Sequence, residues 1–237
     1  YPPSKEWISN MIRNFSTQTD FVLGYGAYEK KKGFVSHLIS FDTFFIAVQY
    51  MGFALKGRPY MGVGRNMAYR REVFFKMKGF ASFLHLQSGD DDLFVNKAAT
   101  HYNTRVEISP ESITLSPPNT TFHNWFVQKE RHLSTASSYT SQSKWLIGSE
   151  VLTRGFFYAL VVALCCFMQQ PLIIIAAVFF LLRLLIQLLV INLSAKHFRE
   201  RKFFLSLLIF DIFLPLVSLY VFTLNRLFHT SKGYRWK

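Results

Sequence analysis

The sequence is short of cysteine, of acidic residues and, over long stretches, of charge of either sign. Its two cysteines, Cys165 and Cys166, are neighbours in the chain. Successive residues of a helix point in different directions, so the pair supplies no disulfide framework and no zinc-binding spacing. Both read as small hydrophobes inside an apolar run. Asp and Glu number 14 against 27 Lys and Arg, a net charge of +13. The deficit is uneven. Residues 1–150 hold 12 acidic and 17 basic residues, whereas residues 151–237 hold 2 and 10. From Gly155 to Asn192 the sole charged residue is Arg183, and from Phe203 to Phe228 only Asp211 and Arg226 carry charge. Such runs exclude a purely water-soluble protein, and 26 Phe with 11 Tyr exclude a disordered one. The chain opens on Tyr1-Pro2-Pro3-Ser4 with neither an initiating Met nor a signal peptide, and it is expected to be the C-terminal portion of a longer protein.

The charge excess is densest around the hydrophobic segments, a pattern that suits anionic lipid headgroups. A nucleic-acid partner is excluded, because it calls for a basic stripe with exposed aromatics and no spanning segment. Val151 to Met168 is one apolar segment, broken by Gln169-Gln170-Pro171. Leu172 to Asn192 is a second, with 16 Leu, Ile, Val or Phe. These favour insertion by roughly 5–10 kcal/mol, against roughly 2.5–3.5 kcal/mol for Arg183. Arg183 either snorkels to a headgroup, faces another helix or meets the globular domain. Lys196, Arg199, Arg201 and Lys202 form a basic loop expected on the cytoplasmic side. Phe203 to Phe228 is the third segment, and one of the three is expected to lie in the interface rather than span.

Within residues 1–150, Trp7, Ile8, Met11, Ile12 and Phe15 recur at helical spacing. Phe21 to Leu23 reads as a strand followed by a Gly24-Tyr25-Gly26 turn. Lys30-Lys31-Lys32-Gly33 is a solvated loop or a basic patch near a membrane or phosphate. Phe34 to Leu55 carries one charge, Asp42, among several polar side chains, and reads as a long, partly buried helix of the globular domain rather than a span. Gly62-Val63-Gly64-Arg65-Asn66 is a turn at which backbone can approach a ligand closely. Ser88-Gly89-Asp90-Asp91-Asp92 places three carboxylates together at a cost in repulsion. Capping of the helix that starts near Leu93 needs one of them, which leaves active-site acid and plain capping as the two readings. Gln128-Lys129-Glu130-Arg131-His132 falls in a helical stretch with Gln128 and Arg131 on one face.

In this order and spacing, these segments resemble the C-terminal part of a membrane-bound family 2 glycosyltransferase, over nearly the whole chain. The resemblance implies an α/β fold: a partial GT-A-like, Rossmann-like catalytic domain over residues 1–135, a linker or interfacial segment over 136–150, and an α-helical membrane region of two or three helices over 151–237. Its glycine-rich segment maps onto Gly62 to Arg71, its acidic motif onto Asp90, Asp91 and Asp92, and its Gln-x-x-Arg-Trp motif onto Gln128 to His132. Here the last position is His132 rather than Trp, a departure that argues against processive synthesis. The resemblance implies inverting transfer from a nucleotide-sugar donor to a saccharide or lipid-linked acceptor, at a bacterial inner membrane with the catalytic domain cytoplasmic. Asp91 is the implied catalytic base, tuned by Asp90 and Asp92. Gly64, Arg65, Asn66, Asp92, Gln128, Arg131 and His132 are the implied substrate-binding residues, with Arg131 on the diphosphate. A divalent cation, Mg or Mn, is expected mainly on an upstream Asp-x-Asp outside this chain, with no metal ligands within it. The competing reading is a non-catalytic membrane scaffold or transport subunit.

Overall fold

The computed structural model describes residues 1, 2, 4–84, 86, 88–167 and 170–228. It is mostly helical, with two small sheets at its centre. Helix α1 (Trp7–Ile12) leads to strand β1 (Phe21–Leu23) and, after Gly24 and Tyr25, to strand β2 (Gly26–Tyr28). Every residue from Phe21 to Tyr28 is buried. An unbroken apolar run, rather than alternation, is what a strand covered on both faces requires.

Helix α2 (Phe34–Leu55) packs on this centre, and strand β3 (Met67–Tyr69) and the short helix α3 (Arg71–Lys76) follow it. Helix α4 (Asp90–Ala98) precedes strands β4 (Thr104–Val106) and β5 (Thr114–Ser116). β1 is the middle strand of the first sheet, antiparallel to β3 and parallel to β4, with Val22 opposite both Ala68 and Arg105. β2 pairs in parallel with β5. α2 is as apolar as a membrane helix, yet more than half of it is buried in protein, against β2, β4 and the later helices.

Helix α5 (Phe122–Ser134) is followed by α6 (Ser141–Phe167), α7 (Gln170–His197) and α8 (Leu205–Phe228), which contains Pro215. Residues 141–150 are thus the opening turns of α6, which runs without interruption into the apolar segment. The last three helices are each long and apolar enough to cross a bilayer. Side chains such as Leu152, Phe156, Phe167, Ile174, Leu189 and Leu205 point outward. Such a surface is costly in water and suits association with a membrane.

The helices are not a separate unit. Phe203 packs on His37, Phe41 and Phe44 of α2, and Phe210 packs on Phe34, His37 and Phe41. α5 lies against α8. Arg183 does not snorkel. Its Nη2 donates to Asp211 of α8 at 2.8 Å and its Nη1 to Tyr158 of α6 at 3.0 Å.

Candidate active site

The end of β2, the turn before β3, the N-terminus of α4 and the inner faces of α2, α5, α6 and α8 enclose a cleft of about 290 Å³. The acidic motif enters through α4. Gly89 precedes the helix with φ +87°, in the left-handed region. A Cβ there would sit 2.5 Å from Thr135 Cγ2, so glycine is required twice over. Asp90, Asp91 and Asp92 then form the first helical turn, where backbone N–H groups are free to receive carboxylates.

The three acids have different fates. Asp90 is exposed and outside the cleft. Asp91 lines it, and its carboxylate is fixed by two backbone donors, Gly64 N–H to Oδ2 at 2.5 Å and Asp92 N–H to Oδ1 at 2.9 Å. Gly64 serves by its backbone: a Cβ there would press on Asp91 Oδ2 at 3.0 Å. Asp92 is buried at 4 % exposure. Burial, with the neighbouring Asp91 charge, pushes its carboxyl well above the usual range, against a hydrogen bond with Tyr139.

The glycine-rich turn splits in the same way. Arg65 lines the cleft, its guanidinium 4.2 Å from the centre of the Tyr28 ring. Its main chain is held by the Thr114 hydroxyl at 2.9 Å. Its Nη1 is buried without a hydrogen-bond partner. Asn66 is not in the cleft. It is 1 % exposed, donates to the carbonyls of Tyr25 and Ser112 at 2.8 Å each, and accepts from Trp7 Nε1 at 3.0 Å. Asn66 thereby ties α1 to the strands, and the structure does not bring it to the cleft.

α5 starts at Thr121, whose hydroxyl caps Asn124 N–H at 3.2 Å. The 3.6-residue period then turns Trp125, Gln128, Lys129 and His132 toward the cleft. Arg131 falls between them, exposed and away from the cleft lining, so the structure does not bring it to the site. Gln128 donates to Tyr28 Oη at 3.0 Å and accepts from Asn119 at 2.6 Å, so it braces the ring under Arg65. His132 faces solvent within the cleft. Crowding by protein, then the charges of Arg131, Arg65 and Lys129, lower its pKa against the opposing pull of Asp91. A neutral imidazole that donates and accepts is the result.

Sequence reasoning missed Asp42 and its partners. Asp42 of α2 accepts from Lys129 Nζ at 2.6 Å and from Trp125 Nε1 at 3.3 Å, all three lining the cleft. Its signal was its solitude, one acid in a 22-residue apolar helix. The far wall is apolar, with Phe45, Ile46, Ile147, Val151, Leu214 and Pro215 contributed by α2, α6 and α8. Among the described residues no group of three or more His, Cys, Asp or Glu comes together as a metal site. In the cleft, Asp91 is tied to backbone donors, Asp42 to Lys129 and Glu150 to Arg154. These residues do not by themselves make a cation site, and no step below is routed through the divalent cation expected on an upstream segment.

A family model described as Glycosyl transferase family 21 matches residues 4–230. No curated protein matches the chain. The resemblance drawn from the motifs was to family 2; the matching model is that of family 21.

Proposed function

From the premise that the chain belongs to glycosyl transferase family 21, we propose that it performs inverting transfer of a sugar from a nucleotide-sugar donor to a hydroxyl of a lipid-borne acceptor. The observation that carries this reading is the continuity of the cleft. A single cavity runs from the Asp91 carboxylate to the apolar side chains Phe45, Val151, Leu214 and Pro215. A soluble saccharide has no use for that wall, whereas a lipid whose hydroxyl must reach Asp91 has. The domain and the basic loop at 196–202 lie on one side of the membrane, the cytoplasmic side by the positive-inside trend.

In this mechanism the acceptor oxygen attacks the anomeric carbon as the bond to the diphosphate oxygen breaks. Asp91 takes the hydroxyl proton during the attack, since an alcohol is too weak a nucleophile until its proton leaves. The two backbone donors to Asp91 hold the carboxylate in place for that transfer. The electron pair of the broken bond goes to the leaving nucleotide diphosphate. Arg65, which lines the cleft with its guanidinium plane fixed on Tyr28 and makes no ion pair among the described residues, takes that charge. This role belonged to Arg131 in the sequence reading. His132 orients a sugar hydroxyl, and Asp92 with Tyr139 closes the floor of the cleft.

The scaffold reading leaves the fixed geometry of Asp91 and the unpaired guanidinium of Arg65 without a purpose. Asp91→Asn tests the mechanism. Transfer of labelled sugar in membranes should fall by about 10²–10⁴-fold with donor binding retained. Transfer near the wild-type rate would remove Asp91 from the role of base.

A further inference from the structure

Two basic segments that are far apart in sequence lie together. The loop before α2 carries Lys30, Lys31 and Lys32, the last turn of α7 carries Lys196, and the connection from α7 to α8 carries Arg199, Arg201 and Lys202. Lys30 Nζ donates to the carbonyl of Arg199. Arg201 Nη2 donates to the carbonyl of Lys31 at 3.1 Å, and Ser36 Oγ accepts from Lys31 N–H at 3.1 Å. His197 reaches the carbonyl of Ile108 at 2.8 Å, so the connection is clamped to the globular part on both sides.

Two of the three acids among these cations are already committed. Glu111 pairs with Arg199 at 2.6 Å, and Glu200 accepts from Tyr25 Oη at 2.9 Å and from Arg201 N–H at 3.1 Å. With Glu29 they number three against seven cations. Lys31, Lys32, Lys196 and Lys202 are exposed and make no ion pair among the described residues. Beside them, Phe34, Phe204 and Leu205 are exposed at 61 %, 59 % and 86 %. Apolar side chains below a row of unpaired ammonium groups, where two membrane helices end, form the cross-section of a bilayer interface.

We propose that this face is a binding site for acidic phospholipid headgroups. The inference rests on the membrane reading above but is independent of the chemistry at Asp91. Each free lysine supplies a point charge at phosphate level, and Arg201, held by backbone, fixes the spacing between the two segments. The clamped connection leads directly into Phe203 and Phe210, which pack on α2. A lipid bound there stiffens the platform that presents Asp42 to the cleft.

The test uses the purified full chain in detergent and a fluorescent short-chain phosphatidylglycerol, followed by polarisation. Unlabelled phosphatidylglycerol should compete about tenfold or more better than phosphatidylcholine, with the preference fading at high salt. The quadruple variant Lys31→Gln, Lys32→Gln, Lys196→Gln, Lys202→Gln should lose the preference. The two double variants at 31/32 and 196/202 should each lose part of it, which keeps the test decisive if the quadruple variant does not fold. Undiminished preference in both double variants, or competition by inorganic phosphate equal to that of the lipid, overturns the proposal. Release of the protein from membranes by alkaline carbonate overturns the membrane reading itself. Retention in carbonate without lipid preference overturns the headgroup site alone.

Discussion

Removing the Asp211 carboxylate should destabilise the helical region more than any other single truncation in it. Asp211 is 2 % exposed and receives four donors from two other helices. They are Arg183 Nη2 at 2.8 Å, Arg154 Nη1 at 3.3 Å, Tyr158 Oη at 2.5 Å and Gln187 Nε2 at 3.2 Å. Arg154 has a second acid, Glu150, one turn away. Arg183 has none, and falls back on the neutral Tyr158 and Gln187. Two magnitudes compete. If the cluster only supplied interhelical hydrogen bonds, Asp211→Ala would cost about 0.6–1.7 kcal/mol. If it neutralises Arg183, the cost is about 3–5 kcal/mol, that of leaving a buried charge unpaired. The geometry favours the second, because one carboxylate serves two guanidinium groups. At about 2–4 °C per kcal/mol for a chain of this size, Tm in detergent should fall by about 6–20 °C. Charge balance sharpens the test. Asp211→Leu together with Arg183→Leu leaves Arg154 facing Glu150, so the double variant should recover most of the loss. Thermal unfolding by tryptophan fluorescence reads all three proteins. A drop of under about 2 °C for Asp211→Ala, or a double variant no more stable than the single one, would refute the neutralisation argument.

The other predictions concern the cleft. Arg65→Gln should weaken inhibition by the nucleoside diphosphate product by about tenfold or more, the value of a charged hydrogen bond, while Arg131→Ala should leave it unchanged; equal effects would return Arg131 to the site. Asp92→Asn should raise Tm at neutral and higher pH and change little in acid. A carboxyl with a raised folded-state pKa contributes stability below its unfolded pKa and loses it as pH rises through the folded value, and each pKa unit is worth about 1.4 kcal/mol. A stability gain that grows toward low pH would contradict the burial argument. Lys129→Met should destabilise the domain by about 3–5 kcal/mol through the stranded Asp42, and Asp42→Leu combined with Lys129→Met by much less. Additive losses in denaturant unfolding would show that the two side chains act separately.

The elements were legible where local pattern decides them. The helix at 34–55 and the strand at 21–23 follow from apolar runs, while the helix expected from Leu93 begins three residues earlier, at Asp90. The acidic cluster was legible because like charges are seldom placed together without a use. The failures share a cause: partners distant in sequence. Asn66 looked available because it follows two glycines, and its amide is consumed by Trp7, Tyr25 and Ser112. Arg131 and Gln128 are three apart on a helix, but the face of α5 that turns inward is chosen by Trp125 and Lys129 meeting Asp42 of α2. Arg183 alone suggested snorkelling; Asp211, 28 residues later, is what holds it. Side-chain periodicity says which residues share a face, and only the packing says which face is inside.

One pattern across the molecule bears on Arg65. Among the described residues, most of the other buried charged side chains have partners. Asp42 has Lys129, Asp211 has two arginines, Glu107 has Arg13 at 3.0 Å, and Glu200 has Tyr25. Asp92 has no cation, and burial raises its carboxyl pKa. Among the described residues three buried side-chain polar atoms lack a partner: Ser40 Oγ, Ser109 Oγ and Arg65 Nη1. The first two are neutral hydroxyls outside the cleft. Arg65 Nη1 alone belongs to a charged group, on a residue that lines the cavity together with Asp91. Leaving a charged donor unpaired costs more than a neutral one, and the fold spends structure on keeping it there, with Tyr28 beneath the guanidinium, Gln128 beneath Tyr28 and Thr114 on the main chain. A cation held that firmly and left that incomplete calls for an anion from outside, and in the reaction proposed above that anion is the leaving diphosphate.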